Sequence, residues 1–321
     1  MGKLGMSTAV QQAPTPFVPS ESQLAVAYSV CRSIARSAAK NFYYAFMVLP
    51  KPKRQALCAV YAFMRRCDDI ADDTSLPLPE RQQKLALWLD ALHQAWAGRP
   101  TDEPVLLALT DAHRRFDIPL ELLDQLAYGT GMDVGADEDD QLLCESTEPI
   151  VAVHYRTFED LRLYCYQVAS VVGLVCIRVF GYRDKAAEPL AERCGLAFQL
   201  TNIIRDVKED AGMGRVYLPE EDMAKFGIFP GELRSVTDPA RFRPLLAMEA
   251  DRAREYYRAA DELIPLIDED SQPALWVLVT IYRRLLEKIA ASQYDVFRGK
   301  ISLTVREKLV VLMKGFLKRL S

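Results

Sequence analysis

Asn202-Ile203-Ile204-Arg205-Asp206-Val207-Lys208-Glu209-Asp210 reads as helix and sets oxygen donors at i, i+4 and i+8. Asn202, Asp206 and Asp210 therefore share one face. At about 1.5 Å of rise per residue the ends of that row stand roughly 12 Å apart. Mg²⁺ holds its oxygens at about 2.1 Å, so the row suits several ions better than one. Ions held by few carboxylates are completed by phosphate oxygens, which points to a diphosphate ligand. An incidental row on a solvated face is the alternative, and a second row elsewhere weighs against it.

That second row is Arg65-Arg66-Cys67-Asp68-Asp69-Ile70-Ala71-Asp72-Asp73. It closes a predicted helix running from about Lys53 to Asp73, after the break at Pro50 and Pro52. At about 100° per residue, Leu57, Tyr61, Met64, Arg65, Asp68 and Asp72 fall in one sector. A solvated acidic face would lie opposite the apolar one. Carboxylates in line with Leu57 and Met64 favour a lined cavity instead.

The remaining periodicity is helical almost throughout. Helices are expected from Ser22 to Lys40, running into Asn41-Phe42-Tyr43-Tyr44, and through Leu85, Leu89, Leu92 and Trp96 to Gly98-Arg99-Pro100. Others span Val105 to Phe116, Leu120 to Tyr128, Pro189 to Ala211, Phe242 to Ile264 and Pro273 to Phe297. Phe158 to Phe180 is apolar on every side, so it is a buried helix, or the wall of a tunnel for a hydrocarbon chain. Gly212 and Gly214 stop the helix of the opening stretch, and Arg215 and Tyr217 follow it closely enough to meet a diphosphate oxygen. Asp137-Glu138-Asp139-Asp140 has no apolar phase and reads as a solvated loop. At the end, Leu309, Leu312, Met313, Phe316, Leu317 and Leu320 form a single apolar stripe opposite Lys314, Lys318 and Arg319. That stripe reads as a closing core helix, with anionic lipid as the alternative partner. The fold class is all-α.

Composition narrows the function. The 321 residues, half of them hydrophobic, suffice for a large core. A net charge of −4 argues against nucleic acid as partner. Seven scattered cysteines without a C-x-x-C pair read as reduced, buried cytoplasmic thiols. Met1 to Pro19, with Pro14 and Pro16 and no apolar core, reads as a flexible leader, so residues 1–20 precede one domain of residues 21–321. The longest apolar run, Val168 to Ile177, is shorter than the roughly 20 residues of a spanning helix. His93, His113 and His154 lack metal-ligand spacing, and the lone Gly212-Met213-Gly214 follows no strand. Two inward acidic rows with long apolar walls imply a prenyl diphosphate: metal ions favour loss of diphosphate, and a dry cavity protects the allylic cation.

These motifs carry a resemblance. Tyr61 with Ala62-Phe63-Met64-Arg65-Arg66-Cys67-Asp68-Asp69-Ile70-Ala71-Asp72 resembles the first aspartate-rich motif of the squalene/phytoene synthase family. Gln199 to Asp210, continuing to Gly214-Arg215-Val216-Tyr217-Leu218-Pro219, resembles the second. Tyr164-Cys165-Tyr166-Gln167-Val168-Ala169 and Tyr282 also fit, so the likeness extends from about Ala27 to Phe297.

The resemblance implies an isoprenoid-synthase-type helical bundle with a central cavity, performing head-to-head (1'-1) condensation of two prenyl diphosphates. It implies Mg²⁺, with Mn²⁺ as a substitute, on Asp68, Asp72, Asn202, Asp206 and Asp210. Arg65, Arg205, Arg215, Tyr217 and Arg298 would hold the diphosphates, and Phe42, Tyr61, Tyr164, Val168, Val172, Gly173, Gln199 and Tyr282 would line the reacting centre. Within the family, Asn41 to Phe46 and Ala169 to Leu174 are most similar to bacterial presqualene diphosphate synthases of hopanoid pathways, acting on farnesyl diphosphate; phytoene synthases, acting on geranylgeranyl diphosphate, are close behind. No NADPH-dependent step is expected. The implied setting is cytoplasmic, with peripheral contact to the inner face of the membrane and to downstream pathway enzymes.

The chain departs from the family pattern at Ala39 and Asn41, where many members carry serines, leaving Lys40 and Asn41 as substitutes, and at Met64, where cysteine is common. Two rival readings are a catalytically inactive assembly-factor relative, which would have lost motif carboxylates, and a terpene cyclase, which acts on one prenyl chain. Two intact motifs with Arg65 and Arg205 fit two diphosphates better.

Overall fold

Ser20 opens the first helix. Its hydroxyl accepts from the Gln23 amide while the Gln23 side chain accepts from the Ser20 amide, and α1 (Glu21–Ala38) starts there. The structure is a computed structural model and describes residues 17–39, 41–73, 75–139 and 153–320. Next come α2 (Phe42–Val48), α3 (Lys51–Ala71), α4 (Leu78–Trp96), α5 (Pro104–Phe116) and α6 (Leu120–Asp139). Prolines in the first turns of α3, α4 and α5 start those helices, where a missing N–H costs nothing. The apolar stretch forms α7 (Phe158–Cys165), a π-helical turn (Tyr166–Ser170) and α8 (Val171–Phe180). Then follow α9 (Ala187–Gly212), α10 (Glu220–Lys225), α11 (Arg243–Leu263), α12 (Gln272–Ala291) and α13 (Val305–Leu320).

The chain is all-α, as its periodicity requires. Strand pairing among the described residues is limited to β1 (Val153–His154) beside β2 (Arg215–Val216), in parallel register Val153 to Arg215, and one bridge between Tyr182 and Ile267. The short pair fastens the segment that leaves α9.

Several expected boundaries move. The acidic run is not a loop through Asp139, because α6 carries its backbone that far; residue 140 lies outside the described residues, as do Lys40, Cys144 and most of the leader. α12 stops at Ala291 instead of running to Phe297, since Gln293 and Tyr294 both adopt φ of 58° and turn the chain away. α3 ends at Ala71, leaving Asp72 as its C-cap.

The C-terminal stripe is split. Val311, Leu312 and Gly315 are buried and Phe316 is partly buried, packed on the side of α12 and α2, whereas Leu309, Met313 and Leu317 face outward. The apolar sector is wider than the surface its neighbours cover. Nor does Arg319 stand opposite the core, for its Nη1 donates to the Val48 carbonyl at 2.7 Å and so caps α2 with positive charge.

α9 packs most extensively on α11, and α8 lies against both α9 and α3. Small residues make this approach possible. A Cβ on Gly195 would sit 2.5 Å from the Ala169 carbonyl oxygen, and one on Gly173 would sit 2.7 Å from that of Ala191. Gly195→Ala is expected to destabilise the fold by about 1–3 kcal/mol, because backbone must yield. Urea unfolding measures this, and an unchanged midpoint would show that the π-turn can shift freely.

A buried ionic cluster joins α10 to α11. Arg252 Nη1 donates at 2.7 Å to both Asp222 Oδ2 and Glu249 Oε2, and Lys225 Nζ donates to Asp222 Oδ1 at 2.7 Å. Burial pushes Asp222 up, but the hydrogen bonds from Arg252 and Lys225 outweigh it and hold the carboxyl below its ordinary range. For Glu249 burial prevails: opposed by Arg252 and reinforced by Asp222, it raises the carboxyl from 4.5 to about 7. Folded Glu249 thus keeps a proton that the unfolded chain releases. Its contribution to stability is complete below pH 4.5 and declines as pH rises towards 7. Glu249→Gln is expected to flatten the pH dependence of unfolding free energy across that window, read from urea titrations at a series of pH values; an unaltered slope would count against it.

Candidate active site

An apolar cavity of about 910 Å³, counted to its open mouth, lies between α2, α3, α8, α9 and α12. Phe42 and Phe46 come from α2, Leu57, Val60, Tyr61 and Met64 from α3, and Tyr282 from α12. The π-turn brings Val168 and Ala169 into the wall, followed by Val172 and Gly173 of α8, with Gln199 and Asn202 opposite on α9. π-turns insert one residue and re-aim those around it, often beside functional sites. Phe158–Phe180 is the candidate membrane span by length and composition among the described residues, yet here it walls this cavity.

Phe180 also borders the cavity. Lys53 Nζ donates to the Phe180 carbonyl at 2.7 Å and Ser271 Oγ to the same oxygen at 2.9 Å. Gly181 turns the chain at φ of 79°, where a Cβ would strike Asp268.

Of the expected lining residues, Phe42, Tyr61, Val168, Val172, Gly173, Gln199 and Tyr282 border the cavity. Phe42 meets Tyr282 edge-on at 6.0 Å, and Phe198, which the sequence reading missed, stacks on Tyr282 at 4.5 Å. Tyr164 is placed differently. It is buried in a stack with Tyr217 at 5.2 Å and Tyr155 at 5.4 Å, to the side of the cavity beneath the segment that leaves α9. Tyr155 gave no sequence signal because it stands outside both motifs.

The polar mouth is built mainly on α9. Asn202, Asp206 and Asp210 follow one another along a face, each partly buried. The Asn202 Oδ1 atom is buried with no hydrogen-bond partner, while its Nδ2 donates to Gln199 Oε1 at 3.4 Å. Asp206 accepts from Arg205 Nε at 2.9 Å and again from Arg205 Nη2, and Lys300 Nζ stands 3.1 Å from its Oδ1. Burial raises its carboxyl, but Arg205 and Lys300 outweigh this and hold it below the usual range, so Asp206 is ionised. Arg205 is the converse: burial works against its charge and Asp206 restores it.

The first acidic row lies across the mouth. Asp68 is partly buried; Asp72 is 64 % exposed, and Arg215 Nη2 approaches its Oδ1 at 3.9 Å. This contact spans from the end of α3 to β2, in the segment that follows α9. Arg65 pairs with Asp69 at 2.6 Å. Burial pushes the Tyr61 hydroxyl up to about 12, with Arg65 pulling down and Asp68 pushing up. Tyr282 is likewise raised by burial, against Arg205, and its hydroxyl meets Asn202 and Asn41.

Arg298 is not part of this arrangement. Its side chain is 82 % exposed and pairs with Asp295 at 3.0 Å. The left-handed turn after α12 directs it outward, and Lys208, donating to the Phe297 carbonyl at 2.7 Å, pins the loop so that Lys300 reaches Asp206 and Glu209 instead. No local pattern in the sequence distinguishes Lys300 from Arg298.

Among the described residues no three carboxylate, imidazole or thiolate side chains converge on one ion. The buried acceptor on Asn202 and an ionised Asp206 nevertheless suit hard cations whose coordination a diphosphate completes. The donor set therefore fits Mg²⁺ as an open, ligand-completed site.

The family model described as squalene/phytoene synthase matches residues 35–307. The chain belongs to the squalene/phytoene synthase family. It is 37 % identical over 292 residues to the phytoene synthase of Mycobacterium tuberculosis, covering 89 % of each chain. A dehydrosqualene synthase crystallised with a ligand superposes with a TM-score of 0.77 at 31 % identity, covering 92 % of this chain and 96 % of that one. Squalene synthase HpnC from Alicyclobacillus acidocaldarius gives 0.73 at 27 % identity, over 87 % and 97 %. As a squalene/phytoene synthase the chain is a transferase of prenyl groups, and head-to-head condensation of prenyl diphosphates is the family's reaction. Members of this family use a divalent metal with those substrates.

Proposed function

We propose that this enzyme condenses two farnesyl diphosphates head to head into presqualene diphosphate, in squalene or hopanoid biosynthesis, with residues 21–321 as the catalytic domain in the cytoplasm. The observation that supports it most is the apolar cavity bordered by Tyr61 and Met64, from the helix of the first acidic row, and by Asn202, from the second; Arg215 also approaches Asp72. Asp68, Asp72, Asn202, Asp206 and Asp210 would hold Mg²⁺, and bound Mg²⁺ would neutralise the diphosphate and make it a better leaving group. Arg65, Arg205, Arg215, Tyr217 and Lys300 orient its oxygens as donors; Arg298 is left out of this set. The faces of Phe42, Phe198 and Tyr282 stabilise an allylic cation, and the apolar wall keeps water from it.

The farnesyl reading draws on the likeness to dehydrosqualene synthase and to HpnC. A second reading, phytoene formation from two geranylgeranyl diphosphates, draws on the 37 % identity to a phytoene synthase. Purified enzyme with Mg²⁺ and each diphosphate separately, with and without NADPH, decides between them when products are extracted and identified by mass spectrometry. Presqualene diphosphate from farnesyl diphosphate, unaltered by NADPH, is the expected result. Phytoene from the longer substrate alone would establish the second reading, and no coupled product from either would overturn both.

A further inference from the structure

We infer that the outer face of α13 is a docking surface for an anionic lipid bilayer. The helix is firmly seated. Thr304 caps it through Glu307, Lys288 pairs with Glu307 at 3.0 Å, and Arg319 is tied to Val48. Val311, Leu312 and Gly315 bury its inner side. A helix seated this way normally presents a polar outer face.

This one does not. Val305, Leu309, Val310, Met313 and Leu317 are 45–64 % exposed, and four of them repeat at every fourth position along about 18 Å. Other exposed apolar side chains, such as Val26, Leu87 and Phe229, stand on separate elements, whereas these five form one continuous patch.

Charge selects the occupant. Of the cations on α13, Lys308 and Lys318 lie over the rings of Tyr44 and Trp276 and Arg319 is tied to Val48, which leaves Arg306 and Lys314 to the outer side, while the single acid of the helix, Glu307, is paired with Lys288. Arg306 and Lys314 are exposed beside the apolar ridge. A second copy docking through the same face would set these cations against themselves across a twofold axis. Anionic headgroups meet them with opposite charge while the ridge enters the acyl boundary.

The test is cosedimentation of the purified full chain with phosphatidylcholine vesicles, either neutral or carrying about one phosphatidylglycerol in three. Wild type is expected to bind the anionic vesicles at least about tenfold more tightly than the neutral ones, less so at high salt. The triple variant Leu309→Glu, Met313→Glu, Leu317→Glu, and independently the double variant Arg306→Glu, Lys314→Glu, should each lose at least about tenfold while keeping their circular dichroism spectra. Wild type remaining in the supernatant with both vesicles would overturn the inference. So would undiminished binding by the double variant, or a lipid-free wild-type dimer in sedimentation equilibrium that the triple variant converts to monomer. None of these readouts depends on which prenyl diphosphate the enzyme takes.

Discussion

Asp206→Asn lowers turnover at saturating Mg²⁺ and substrate by about a thousandfold or more, with the circular dichroism spectrum and thermal midpoint close to wild type. The substitution keeps the shape of the side chain, and its remaining carbonyl oxygen still accepts from Arg205. What disappears is the negative charge at the middle of the α9 row, the one that Arg205 and Lys300 hold ionised. Asp68→Asn probes the facing row and should act in the same direction. Steady-state kinetics with product identification provides the check, and near-normal turnover by Asp206→Asn would remove the metal assignment of the row.

Arg252→Ala has the largest expected effect on stability, about 3–5 kcal/mol, because it leaves Asp222 and Glu249 buried side by side without their shared cation. The loss extends to packing, since the guanidinium also lies 4.0 Å from the centre of the Phe158 ring. Urea unfolding of the variant measures it, and a change below about 1 kcal/mol would show that the cluster is easily rehydrated. Activity should fail on warming before that of wild type. α10 anchors the Arg215 segment, and the Glu220 amide donates to the Tyr155 carbonyl at 2.9 Å beneath it.

Much of the site was legible before any coordinates. A helical period puts Asn202, Asp206 and Asp210 on one face whatever surrounds them, and it aligns Asp68 with Leu57, which borders the cavity. The period could not reveal that α3 ends at Ala71, nor that Asp72, its C-cap, meets Arg215. Nor could it separate the inward Leu312 from the outward Met313 on α13, because burial depends on how much surface α2 and α12 offer.

Sequence alone determined the all-helical class, the two acidic rows and the apolar walls, since each follows from the 3.6-residue repeat and the chemistry of side chains close along the chain. Tertiary structure alone decided that Lys300 and not Arg298 reaches Asp206, that Tyr164 stacks on Tyr217 instead of bordering the cavity, and that a π-turn re-aims Val168. Those outcomes rest on two left-handed residues after α12, on glycine contacts between α8 and α9, and on the β1–β2 pair. Such contacts join residues far apart along the chain, and a local repeat carries no record of them.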